Sequence, residues 1–204
     1  ILSVALKKII EGERLDVLFE QAGRESEYIQ KMMHRTITEK DYIKMIAAKT
    51  ASLFEAACKV GSIVGHGNSD SVDCLSRYGW NSGIAFQIRD DILDIVGETE
   101  KLGKEAGKDI KEHKLGNLVI LYSLAKLSET SRSKLLNILR SQWTTTSDVD
   151  RAVEIILSTN AAKLAYKKAK TFINKAKSNI EILPPSEAKN TLLSLADLII
   201  QRKF

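Results

Sequence analysis

Phe86-Gln87-Ile88-Arg89-Asp90-Asp91-Ile92-Leu93-Asp94 is the stretch on which the reading of this chain turns. Three acids sit among residues that belong in a core: Ile88, Ile92, Leu93 and, just beyond, Ile95. On a helix, residues three and four apart share a face, so Asp90 and Asp94 project together with Gln87 one turn before them. Asp91 lies about 100° round the axis from Asp90. Carboxylates this close repel unless something positive lies between them. A hard divalent cation such as Mg²⁺ relieves that repulsion, and it bridges carboxylates to substrate phosphates. Read by its spacing alone, Asp-x-x-x-Asp is a solvated acidic face. Two features argue for more: the acids interrupt an otherwise apolar run, and Lys101, Lys104, Lys108, Lys111 and Lys114 follow close behind. Acids that hold Mg²⁺ beside lysines that hold phosphate oxygens describe a diphosphate site.

The rest of the chain supports a helical setting for that run. Its 204 residues are 44% hydrophobic with only 2 prolines, a balance that predicts one mostly helical domain over residues 1–204 with a sizeable core. No run of eighteen apolar residues occurs, so no membrane span is expected. Cys58 and Cys74 lack metal or disulfide spacing, which points to a reducing cytoplasm. The net charge of +5 is spread out, aromatic residues are sparse and no nucleic-acid motif is present. An anionic small substrate fits that balance better than nucleic acid.

Along the chain, residues 1–11 read as a helix ending near Glu11-Gly12-Glu13, helical pattern continues from Arg14 to Gln21, and a shorter helix follows from Ser26 to Met33. Thr38 and Asp41 form the ends of a capping box. The long helix that starts there runs to Gly65-His66-Gly67-Asn68 and carries Lys49 and Thr50 at its middle. Spacing alone makes Lys49 a snorkelling surface lysine. Ser69 or Ser71 is expected to cap the helix that bears the acid run. Gly79 and Gly83, inside it, imply a close helix approach or room for substrate. Gly97 to Gly107 reads as a loop able to close over a ligand, and Asp109 to Lys126 as helix again. Residues 128–159 read as two short helices divided at 144–148, with Trp143 in a core or interface. Ala161 to Ile180 is an amphipathic helix rich in lysine (Lys163, Lys167, Lys168, Lys170, Lys175, Lys177). A solvated face is the preferred reading of it, with peripheral contact to an anionic membrane as the alternative. Ser186 opens the last helix.

Several of these segments together resemble the trans-isoprenyl diphosphate synthases, the polyprenyl synthetases. Phe86 to Asp94 looks like the second aspartate-rich motif of that family, Lys49-Thr50-Ala51-Ser52-Leu53-Phe54 like its Lys-Thr helix segment, and Gly103-Lys104 with Gly107-Lys108-Asp109-Ile110 like the loop that follows the motif. Tyr78-Gly79 and Gly83 resemble the start of the motif helix. The segments keep the family's order and approximate spacing.

The resemblance implies an all-α bundle around a central cavity, usually a homodimer. It implies a prenyltransferase that condenses an allylic prenyl diphosphate with isopentenyl diphosphate through Mg²⁺-assisted ionisation. Carried over position by position, Asp90 becomes a direct Mg²⁺ ligand, with Asp91 and Asp94 acting directly or through bound water. Lys49, Lys104, Lys108 and Lys114 become diphosphate contacts, and Lys49, Thr50 and Gln87 the residues nearest the reacting groups. The sequence also departs from the family. The first aspartate-rich motif does not occur in these residues, so the chain is expected to be the C-terminal part of a larger prenyl synthase domain and to have little activity alone. His113 stands where glycine is usual, and Gly116-Asn117 replaces the common Thr-Leu-Pro run. Two other readings accompany this one: a non-catalytic subunit of a heteromeric synthase, and a structural helical bundle with an acidic stripe.

Overall fold

The computed structural model describes residues 1–20, 36–97, 107–141 and 143–201. The expected Ser26–Met33 helix, and Lys101 and Lys104 of the expected loop, lie outside these residues. Every regular element among the described residues is helical: α1 (Leu2–Leu18), α2 (Glu39–Ile46), a π-helical segment (Ala47–Ala51), α3 (Ser52–Val64), α4 (Ser69–Val96), α5 (Lys108–Lys111), α6 (Leu118–Lys126), α7 (Glu129–Leu139), α8 (Thr146–Leu157), α9 (Ala161–Asn179) and α10 (Glu187–Gln201). No described helix is long and apolar enough to cross a membrane.

Local chemistry sets most of the helix starts. Thr38 and Asp41 cap each other as expected: the Asp41 N–H donates to Thr38 Oγ1 (3.2 Å) and the Thr38 N–H to Asp41 Oδ2 (3.0 Å). Thr145 and Asp148 repeat the device at the head of α8, which confirms the division near residue 145. Ser128 and Ser186 cap α7 and α10. At the head of α4 the cap is Asn68, whose Oδ1 accepts from the Ser71 N–H at 2.9 Å, rather than Ser69 or Ser71.

The described residues divide into two compact units. The first takes in Ile1–Glu13, Ile43–Arg89 and the chain from Lys167 onward. Within it the glycines set how closely backbones approach. A Cβ on Gly83 would stand 2.6 Å from Ala51 Cα, and one on Gly12 2.2 Å from Lys49 N. Only glycine allows either crossing, and α1 runs through Gly12 to Leu18 instead of ending there. Tyr78 donates to the Leu192 carbonyl (2.7 Å) and Asn81 to Asn179 (3.0 Å), fastening α4 to α9 and α10. The core face of α9 carries Ala169, Ile173 and Ala176, all buried. Lys163, Lys167, Lys170 and Lys175 are exposed, while Lys177 is partly covered and paired to Asp197.

The second unit takes in Arg14–Tyr42 and Asp90–Tyr166. Ile92, Leu93 and Ile95 are buried in it, as the apolar embedding of the acids predicts, with Leu118, Ile120, Leu135, Leu139 and Ile156. Burying each such side chain contributes about 1.5–3 kcal/mol. One expectation fails here and another narrows. Asp109 to Lys126 is not one helix: α5 stops at Lys111, His113 takes a left-handed φ of 58°, and α6 starts afresh under an Asn117 cap. That φ is the left-handed conformation that favours glycine, and here His113 adopts it. Trp143 is not a core residue of this chain: it is 85% exposed.

Candidate active site

Two clusters hold the candidate residues, one in each unit. In the first unit the long helix expected over 38–64 is interrupted by the π-helical segment Ala47–Ala51, which carries Lys49 and Thr50. A π segment widens the helix by one residue and commonly marks a functional position. Gly83 brings α4 onto this segment, and one turn later Gln87 meets Thr50. Thr50 Oγ1 donates to Gln87 Oε1 at 2.8 Å. Gln87 therefore draws a partner from the protein itself, which a half-buried amide needs. Phe86 packs its ring on Phe54 at 5.4 Å between centroids. Lys49 is tethered rather than snorkelling: its Nζ lies 3.0 Å from Glu13 Oε2 on α1.

In the second unit the three acids of the run have three different environments. Asp90 is exposed, Asp94 half-buried and Asp91 3% exposed, as the 100° step round a helix requires. Asp91 is committed to structure: its Oδ2 accepts from the Leu118 N–H (3.0 Å), the first residue of α6. A carboxylate there satisfies one of the orphan donors of the helix and complements its dipole. Burial first, and then the adjacent Asp91, push the Tyr42 phenol well above its ordinary value.

Asp94 is bound to the segment beyond the loop. Its Oδ1 accepts from the Lys108 N–H and its Oδ2 from the Asp109 N–H, each at 3.1 Å, while its carbonyl accepts from Gly107 N–H at 2.7 Å. Burial, followed by the neighbouring charges of Asp109 and Asp90, raises the Asp94 carboxyl to about 7 in spite of those donors. Burial raises Asp109 as well, opposed by its hydrogen bond to Asn117 and by Lys114. Lys114 is drawn upward against its own burial by Glu112 (2.7 Å), Asp16 (3.5 Å) and Asp109 (3.9 Å). Lys108 is 68% exposed and pairs with Glu112 at 3.5 Å.

The donor set suits a hard cation. Asp94 and Asp109 are carboxylates that burial and mutual repulsion make hard to ionise, the condition a divalent ion relieves. Among the described residues no three His, Cys, Asp or Glu side chains converge into a ready cage. Mg²⁺ does not demand one, since it keeps waters and takes one or two carboxylates with substrate phosphates. A separate cleft of about 220 Å³ in the first unit, lined by Val4, Lys8, Ser52, Glu55 and Lys59 among others, includes none of the candidate residues.

The polyprenyl synthetase pattern matches residues 1–156. This chain belongs to the polyprenyl synthetase family. Among its relatives, a short chain isoprenyl diphosphate synthase of Methanothermobacter thermautotrophicus is 37% identical over 196 residues, 96% of this chain and 56% of that protein. A geranylgeranyl diphosphate synthase of Saccharolobus solfataricus is 34% identical over 98% of this chain and 56% of its own length. Among solved structures, a polyprenyl synthase of Caulobacter crescentus complexed with calcium and isoprenyl diphosphate superposes with a TM-score of 0.88 at 30% identity, covering 100% of this chain and 58% of the other. The chain thus spans somewhat over half the length of the relatives it matches.

For a polyprenyl synthetase chain, the described structure brings Thr50 to Gln87 in one unit, and in the other Asp94 to Lys108 and Asp109, with Lys114 beside Asp109. Lys104 lies outside the described residues. Sequence reasoning assigns no site role to Asp109, Asp16 or Asn117. Asp109 stands in Gly107-Lys108-Asp109-Ile110, where the helical pattern that follows hides it. Asp16 carries no local signal because Lys114, with which it pairs, is far away in the chain, and Asn117 shows locally only as a cap ahead of an apolar run.

Proposed function

We propose that the complete protein condenses an allylic prenyl diphosphate with isopentenyl diphosphate, releasing inorganic diphosphate. The observation that carries this reading is the Asp94–Asp109 pair, two half-buried acids joined through the Asp109 N–H, with Lys108 adjoining and Lys114 3.9 Å from Asp109. Buried like charges of this kind are costly unless a bound ligand relieves them. Asp90, Asp94 and Asp109 would hold Mg²⁺, with Asp91 holding the run in place through α6. When bound, the ion draws charge from the departing diphosphate oxygens.

The remaining work falls to the chain. Lys108 and Lys114, with Lys49 and Lys104 as further candidates, would anchor the diphosphate oxygens by charge-assisted hydrogen bonds. The allylic carbon–oxygen bond then breaks heterolytically. The isopentenyl double bond supplies the electron pair of the new carbon–carbon bond, and a proton leaves the adjacent carbon. Thr50 and Gln87 would present their dipoles to the developing charge. Phe54 and Phe86 would keep water from the cation.

A cytoplasmic homodimer completes the reading. Two free thiols, Cys58 and Cys74, fit a reducing compartment. Leu2, Val4, Leu6 and Ile10 leave apolar surface exposed along α1, which a second copy would cover. The test is formation of labelled polyprenyl diphosphate from isopentenyl diphosphate by the full-length protein, with and without chelator. Product formation that chelation leaves untouched would refute the metal's part, and no product with any allylic diphosphate would refute the activity.

A further inference from the structure

Gly116-Asn117 is one of the places where this sequence departs from the pattern it resembles, and Asn117 is 0% exposed. Its carboxamide works in two directions. Oδ1 accepts from the N–H groups of Val119 (2.9 Å) and Ile120 (3.3 Å), capping α6. Nδ2 donates to Asp109 Oδ2 (2.8 Å) and to the main-chain carbonyl of Asp91 (3.2 Å). Among neutral side chains, only an amide offers an acceptor together with two N–H donors on so short a stem. Serine and threonine are comparable helix caps but have a single hydroxyl hydrogen. The cap therefore does not require asparagine, whereas the two donated bonds do. Those bonds tie Asp109, on α5, to the backbone of the acid-bearing helix, and Asp94 reaches the same segment through the Asp109 N–H.

We propose that Asn117 is a positioning residue, holding Asp109 and the Asp91 backbone in register so that the acids can share one divalent cation. This rests on the reading under Proposed function. Outer partners that orient metal-binding carboxylates typically govern affinity for the ion, by about 10–100-fold on removal.

The test is calorimetric titration of the full-length protein with inorganic diphosphate, with and without Mg²⁺, for the unsubstituted protein, Asn117→Ser and Asn117→Thr. Both substitutions keep a cap for α6, and circular dichroism identifies which variants fold. The expected result is a loss of about 10–100-fold in Mg²⁺-dependent diphosphate affinity, with the weaker metal-free binding unchanged. Unchanged Mg²⁺-dependent affinity in a folded variant overturns the proposal, leaving Asn117 a helix cap only. Equal losses with and without Mg²⁺ also overturn it, because they report general damage. If the unsubstituted protein shows no Mg²⁺-dependent binding, the functional reading itself fails and this inference goes with it.

Discussion

The Thr50–Gln87 cluster and the Asp94–Asp109 cluster are built on opposite principles. The first is neutral and satisfied within the protein: a hydroxyl donates to an amide across a close helix crossing. What is unusual there is the backbone, a π segment that glycine lets another helix approach. What is unusual in the second cluster is its electrostatics, with one half-buried carboxyl raised to about 7 beside another that burial also raises. One region spends its irregularity on geometry and the other on charge. The comparison teaches that the acid cluster should respond strongly to pH and metal, and the neutral one to packing.

The largest expected effect is on the charged side. Asp94→Asn removes one of the carboxylates proposed to hold the ion that offsets charge on the departing diphosphate, and should lower kcat/KM of the full-length protein by about 10²–10³-fold. Steady-state kinetics at saturating Mg²⁺ would show it. A loss of less than tenfold would make Asp94 a structural tie to the loop and nothing more.

Next comes a break on the neutral side. Gly83→Ala places a methyl 2.6 Å from Ala51 Cα, a contact the backbones must move to relieve. The expected cost is about 1–3 kcal/mol of stability, measured by urea denaturation. Thr50→Val follows, leaving the half-buried Gln87 amide without its Thr50 partner for about 0.5–1.5 kcal/mol. Neither variant should alter the pH dependence of stability, and if either does, the division between geometry and charge is wrong.

The smallest effect sharpens the contrast. The Asp94 carboxyl is raised from an ordinary 3.8 to about 7, so between those values the folded protein holds more proton than the unfolded chain. The contribution of Asp94 to stability is then fully present below about pH 4 and is lost as pH rises through about 7. Metal-free melting temperature should fall by about 2–4 °C for each kcal/mol lost across that window. Asp94→Asn should flatten the slope, and Mg²⁺ should restore more at pH 8 than at pH 5. A metal-free melting temperature that rises over the same range would contradict the burial of this acid.

Much of this was present in the order of residues. The Thr38–Asp41 box, the division near residue 145, the burial of Ile88, Ile92, Leu93 and Ile95, and the separate facings of Asp90, Asp91 and Asp94 follow from side-chain chemistry within a few turns of helix. Local interactions of that kind act whatever the remainder of the chain does. The family, too, could be recognised from short segments in a constant order.

Other features required the fold. Asn68 took the cap from two adjacent serines, and α6 began at Asn117 because Asp91, twenty-six residues earlier, supplies an acceptor for its first N–H. The raised carboxyl of Asp94 and the tether of Lys49 to Glu13 likewise depend on partners far along the chain. Periodicity reports which face of a helix is apolar. It does not report which distant charge or donor will be brought against that face, and for these acids and lysines that encounter decides protonation, tethering and chemical role.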